Sequence, residues 1–598
     1  MKDRGTRLKG IICIIIAALL GALGISIYWE ESLQQSTASS ILTLLIFALL
    51  VWIWRKYYNI KIPIRMKVWF ALFTEILCLS MFMGKNIDST IQYSVRELLV
   101  FSVLFFIGIY PIIIIIVSRI DSIKNYKIEK VDNKKRILFF IPIVILWLLG
   151  YLAAFPGIYA MDAMTWYYQY SNPAVVVSAQ WSPVYSGLFY TFVHFGEVYL
   201  HSAEAGLAIF IALQMLFILK VIWDILKFMN SRFGFAGCLV TSVFFSLVPT
   251  HMIIALQTVQ GAPFMACFAL FVIYLGKILA TPESFWDSKK NIVFFILLGF
   301  LLCVLRNNAY YAVIVFLVFT ICYKKQYRRK LIISLIAIIG ISSIYKGPVL
   351  DYMHVEKGPS MQEMLSMPLQ QMAYVYTYLP EKLTEDQKQL LTTYIPKEDL
   401  KKYPDNMESS DNVKRNFNVP LLQKNPKEFA KLYLAIGMKS PLSYISAAYW
   451  QDAGLLYLDK KYPDPQMWHP FINYASYEKL PKQFLIIKRH SILPAYNKLL
   501  GTLFGYALDG YGGNVRTEFS SIPFLGVFCR VSTYFWSLLF MSVYALYKKW
   551  KEKFLVLGFY LIFTLTIIVG PVVLYRYYAP VVFSFPVLFA IIFSKDSC

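Results

Sequence analysis

The sequence predicts an all-α polytopic membrane protein, and three observations carry that expectation. Of its 598 residues, 58% are hydrophobic and only 16% charged, the balance of a chain that meets lipid over much of its surface. The apolar residues come in runs close to the roughly 20 residues a helix needs to cross a hydrocarbon core. The net charge of +23 gathers in short loops between those runs, as the positive-inside bias predicts for cytoplasmic loops. That clustering makes the bilayer the partner and argues against nucleic acid.

Taken in order, the apolar runs fall near 10–28, 39–54, 68–84, 98–117 and 137–154. Further runs lie near 204–226, 236–250, 262–280, 291–305, 309–323 and 331–346, then 523–547, 554–574 and 579–594. The total is about fourteen spans. The first run follows MKDRGTRLK without a small-residue cleavage site, so it reads as a retained anchor. Basic loops, such as Arg55 to Lys67, Arg119 to Arg136, Lys324 to Lys330 and Lys548 to Lys553, are then cytoplasmic. Both termini fall on the same side as these loops, and residues 155–203 on the other.

Four regions follow from this pattern. Residues 1–136 form an N-terminal four-helix membrane region and 137–346 a membrane core, with a first outer loop at 155–203. Residues 347–522 form an extracytoplasmic domain, and 523–598 the last membrane helices. The charges of 347–522 nearly balance, as in a folded soluble domain, and its helix starts can be read from capping chemistry. Thr384 with Gln387 makes a capping box, Asn425-Pro426-Lys427-Glu428 opens a second helix, and Ser440-Pro441 opens a third towards Tyr449-Trp450. Gly510 to Asn514 (GYGGN) is a loop. No alternating pattern is sustained, so this domain is expected to be mainly helical.

The eight cysteines, Cys13, Cys78, Cys238, Cys267, Cys303, Cys322, Cys529 and Cys598, show no CxxC spacing. Neither a disulfide framework nor a metal cluster is expected from them.

Few residues can carry chemistry. Asp162 lies just beyond a Pro-Gly break at the outer end of a span. It either caps a short helix through its carboxylate or acts as a base towards a hydroxyl. The aromatics around it, Trp166, Tyr167, Tyr168, Tyr170, Trp181, Tyr185 and Tyr190, suit an interfacial belt and equally a surface on which sugars stack. Arg306, Arg576 and Arg530 lie on the outer side, against the positive-inside bias. Arginine there snorkels, pairs with an acid such as Glu204, or binds a phosphate. His194, His201 and His251 fall on the same side without HxxxH or HxH spacing. Glu75 sits midway along the third span, either closed by an internal hydrogen bond or marking a proton path.

These features together resemble the GT-C superfamily of integral-membrane glycosyltransferases, and within it a Gram-positive bacterial branch. The resemblance rests on the acidic first outer loop, the Trp181-Ser182-Pro183 turn and the Arg306-Asn307-Asn308 element. It also rests on Gly570-Pro571 with Arg576-Tyr577-Tyr578 and Pro580, on Ser366 to Tyr376, and on the NPKEF and KSPLSYI segments. It covers roughly 137–594 and implies a GT-C-like bundle with a polyprenyl-phosphate-linked sugar as donor, transferred with inversion. It assigns Asp162 to catalysis and Arg306 and Arg576 to the donor phosphate; Arg530, as a further outer-face arginine, is a candidate for the same phosphate. Trp166, Tyr167, Trp181, His194, Glu197 and His251 would contact the sugar or the acceptor, which would be an envelope glycopolymer, a glycolipid or a protein. The chain lacks the second acid of a DxD pair. A metal-independent enzyme of the bacterial plasma membrane is therefore expected, without a cofactor and with an extracytoplasmic active site. Two rival readings are an envelope polysaccharide polymerase or ligase, and a lipid-linked sugar flippase or secondary transporter.

Overall fold

The computed structural model describes residues 2–33, 37–88, 93–123, 129–358, 361–460, 484–487, 490–504 and 524–594. Among them the regular elements are helices, with no strand and only isolated β-bridges. Among the described residues nine helices are long and apolar enough to cross a membrane. The chain is an all-α polytopic membrane protein.

Nine such helices stand where the sequence predicts about fourteen spans, and the difference has local causes. The expected spans 204–226 and 236–250 are two helices that meet at a kink at Gly234 (φ 58, ψ −134) and count once among the nine, as Ala203–Leu247. There the chain from residue 129 comes alongside, and Phe235 N donates to Glu129 O at 3.0 Å. The helices Lys289–Leu305 and Phe554–Ile568 have only 17 and 15 residues. The run after Asn307 turns from α-helix to 3-10 helix at Leu317. The expected span 523–547 divides at Arg530, between Leu525–Cys529 and Val531–Lys548.

The chain forms two compact units. The first is Met1–Lys127 with Leu455–Lys461 and Phe535–Lys551. It contains the helices Lys2–Leu33, Thr37–Tyr58, Ile64–Asp88 and Val95–Ile123. Glycines let the first and last of these touch backbone to backbone: Gly21 lies against Gly108, and Gly24 against the peptide after Leu104. Inside this unit Glu75 Oε1 accepts from Ser102 Oγ at 2.8 Å, and Lys85 Nζ donates to the carbonyls of Ile27, at 3.0 Å, and Tyr28.

The second unit is Ile128–Gly454, Tyr462–Tyr534 and Glu552–Cys598. Within it, residues 365–444 hold an apolar core of their own, including Leu369, Met372, Leu391, Tyr394, Phe417, Phe429 and Leu432. Burying one such side chain contributes about 1.5–3 kcal/mol. The local start signals act as the sequence predicts. Thr384 and Gln387 make a reciprocal capping box ahead of Glu385–Tyr394. The helix Pro426–Lys439 begins after Asn425, although the Asn425 side chain makes no cap bond. Pro441–Leu456 begins after Ser440. The expected loop at Gly510 to Asn514 lies outside the described residues.

Candidate functional site

The site is built from the break that ends the helix Asn133–Ala153. Gly157 sits at φ +129, a conformation that favours glycine, with Ile211 packed where a side chain would go. The next residues pair with a second stretch: Ile158 N donates to Leu256 O at 2.8 Å, and Thr258 N to Ile158 O at 3.0 Å. Ala160 N donates to Thr258 Oγ1 at 2.6 Å. So anchored, the chain starts the helix Met161–Ser171 with Asp162 in its first turn. No side-chain bond caps that helix. The carboxylate turns instead to Arg576, whose Nη1 donates to Asp162 Oδ2 at 3.2 Å. Each of the two side chains is 29% exposed.

Arg576 is the second residue of the helix Tyr575–Phe593. The segment before it is held from the region 365–456. Ser410 N donates to Pro571 O at 3.0 Å, and Gln451 Nε2 to Gly570 O at 2.6 Å. Arg306 arrives from elsewhere, extended between the helices Lys289–Leu305 and Asn307–Phe316. Its Nη2 donates to Arg576 O at 3.4 Å. Both guanidiniums lie over the Tyr577 ring, at 4.7 Å for Arg306 and 5.2 Å for Arg576. Gly261 makes this approach possible: a Cβ there would stand 3.1 Å from Arg306 Nη2 and 3.2 Å from Arg576 O.

The electrostatics are lopsided. Of the two guanidiniums only that of Arg576 pairs with Asp162, and the Nε of each arginine is buried without a hydrogen-bond partner. Like charges held together out of water are costly unless an anion joins them, and guanidinium binds phosphate oxygens in pairs. The arrangement can take an anion beside a carboxylate that can accept a proton.

The Trp181-Ser182-Pro183 turn is tied to the same stretches. Ser182 N donates to Gln260 Oε1 at 2.6 Å, next to Gly261. Asn307, next to Arg306, donates through Nδ2 to Ala179 O at 2.9 Å. Trp166 lies one turn beyond Asp162 but is only 1% exposed, packed on Trp181, Tyr185 and Phe189. Its Nε1 and both polar atoms of the Gln257 side chain are buried without partners.

Tyr167, His194 and Glu197 form a separate group. Tyr167 Oη donates to Glu197 Oε2 at 2.5 Å, and His194 Nδ1 lies 3.6 Å from the same oxygen. The His194 ring stacks on Tyr190 at 5.4 Å. Burial, and then the Glu197 carboxylate, push the Tyr167 phenol up.

One expected site residue does not join either group. His251 is 1% exposed and caged by Phe244, Phe245 and Phe583. Arg530 stands at the break between the helices Leu525–Cys529 and Val531–Lys548. Glu204 pairs with His490, at 3.1 Å, rather than with an arginine. Gln257, Gln260, Gly261 and Lys346 escaped the sequence reading. The first three form an uncharged polar interruption just before an apolar run, and that was the available signal. Among the described residues no three His, Cys, Asp or Glu side chains gather as metal ligands would.

Residues 168–597 match the model of a family described as a family of unknown function, DUF6020. Arg306, Arg530 and Arg576 fall inside the matched range and Asp162 before it. No curated protein and no solved structure matches the chain.

Proposed function

We propose that this chain, which belongs to the DUF6020 family, is a membrane glycosyltransferase of the GT-C type. It would move a sugar from a polyprenyl-phosphate donor to an envelope acceptor on the outer face of the bacterial plasma membrane. The observation that supports this most is the meeting of Asp162 with Arg576 at 3.2 Å, and of Arg306 with the Arg576 carbonyl at 3.4 Å. Three stretches far apart in the chain bring one carboxylate and two guanidiniums together.

On this reading the donor phosphate binds Arg306 and Arg576 and competes with Asp162 for the Arg576 guanidinium. The released carboxylate accepts the proton of the acceptor hydroxyl. The acceptor oxygen attacks the anomeric carbon in line, a carbon–oxygen bond forms with inversion, and the bond to the phosphate oxygen breaks. The electron pair leaves on the phosphate, where the guanidiniums stabilise it, so a general acid is not required. Tyr167, His194 and Glu197 offer a polar aromatic surface for the acceptor.

The test is to delete the chain and follow the polyprenyl-linked sugars of the envelope. One polyprenyl-phosphate sugar accumulates, and the Asp162→Asn variant does not clear it. A polymerase resting on Arg and His would tolerate that substitution. Ion-driven movement of the lipid-linked sugar in proteoliposomes, with no sugar transfer, would overturn the proposal in favour of a transporter or flippase.

A further inference from the structure

Lys346 takes no part in the mechanism above, yet it reaches the residue next to Arg306. It lies where the helix Lys325–Ile344 runs into a π-helical turn, Tyr345–Val349, that contains Pro348. Such turns recur at functional sites because they re-aim a side chain. Here Lys346 Nζ donates to Asn307 Oδ1 and stands 5.7 Å from the Tyr310 ring. Asn307 in turn holds the carbonyls of Ala179, at 2.9 Å, and Gln180, at 3.4 Å. Among the described residues Asp162 is the one carboxylate paired with Arg306, Arg576 or Lys346.

Counting charge then distinguishes two donors. The two arginines less Asp162 leave one positive charge, which a sugar–phosphate–lipid diester, itself carrying one negative charge, neutralises. Lys346 remains over. A sugar–diphosphate–lipid carries two negative charges and neutralises all three cations. We infer that the donor is a lipid-linked sugar diphosphate, with Lys346 holding the second phosphate beside the one on Arg306 and Arg576. This rests on the glycosyltransferase reading and replaces its single donor phosphate by a diphosphate, so the lipid-linked sugar that accumulates on deletion is then the diphosphate. When the anomeric carbon–oxygen bond breaks, the electron pair leaves on a lipid diphosphate, and the acceptor proton goes to Asp162 as before.

The test uses the full chain in lipid nanodiscs and two probes: the methyl esters of farnesyl phosphate and of farnesyl diphosphate, with one and two charges respectively. The wild type binds the diphosphate ester about tenfold more tightly. Lys346→Gln keeps a donor for Asn307 but removes the charge, and it brings the two affinities within about twofold while the monophosphate ester is unaffected. Lys346→Arg retains the preference. The ratio is the readout, because a damaged fold weakens both probes together. Equal binding by the wild type, or equal weakening of both probes in Lys346→Gln, overturns the inference and leaves the glycosyltransferase reading standing. If neither probe binds the wild type, both fall.

Discussion

The two compact units hold charged side chains among apolar helices in opposite ways. In the first, Glu75 and Lys85 are each closed by a neighbour. Glu75 accepts from Ser102, and Lys85 donates to two carbonyls beneath the Tyr28 ring. In the second, Arg306 meets Arg576, Asp162 pairs with Arg576 alone, and each arginine keeps a buried Nε without a partner. A charge closed by local dipoles contributes to the fold, whereas charges left in excess wait for a ligand. Glu75 lies deep in an apolar helix and is the natural coupling residue for a transporter. Its closed hydrogen bond makes it the weaker functional candidate.

The comparison breaks if substitutions in the two units act alike. Asp162→Asn is expected to cost about 10²–10⁴-fold in sugar transfer, the usual contribution of a positioned base, read with purified protein and a lipid-linked donor. Arg576→Met is expected to cost about 2–5 kcal/mol of donor binding by calorimetry. Arg576→Lys should recover only part of that loss, since an ammonium lacks the planar fork. In the first unit, Lys85→Met leaves the Ile27 and Tyr28 carbonyls without their donor. It should lower stability by about 1–3 kcal/mol in a melting experiment. Transfer per folded molecule should stay within about twofold, because sites without shared partners act independently.

A finer contrast comes from Gly261→Ala. The added methyl meets Arg306 Nη2 at 3.1 Å and must shift it by a few tenths of an ångström. A donor-affinity loss of about 3–10-fold follows, with melting nearly unchanged. The smallest effect belongs to Asp452, which is 3% exposed with Oδ1 unpartnered. Burial pushes its carboxyl well above the usual 3.8. The folded state therefore binds the proton more tightly than the unfolded one. Stability is full below pH 3.8 and falls as pH rises towards the folded value. Asp452→Asn should remove that part of the slope, about 1.4 kcal/mol per pH unit across that window, without changing transfer.

The legible parts were those with a local or compositional cause. The Thr384 capping box depends on four consecutive residues and reads directly. Arg306 and Arg576 stood out because arginine on that side runs against the loop-charge bias. What escaped depends on partners distant in sequence. The break at Gly234 exists because the backbone of Glu129 lies against it. His251 was expected near the sugar, but Phe583, from the last helix, closes a cage of rings around it. Gln260 and Lys346 look like ordinary polar residues until Ser182 and Asn307 are found beside them.

The central claim is that Asp162 acts on the acceptor while the arginines hold the donor. Donor binding and sugar transfer, measured on one preparation of Asp162→Asn in lipid, test it most directly. The account predicts that the variant binds the lipid-linked donor at least as tightly as the wild type, since Arg576 is freed from its carboxylate, and transfers almost nothing. Transfer at the wild-type rate by that preparation would contradict it.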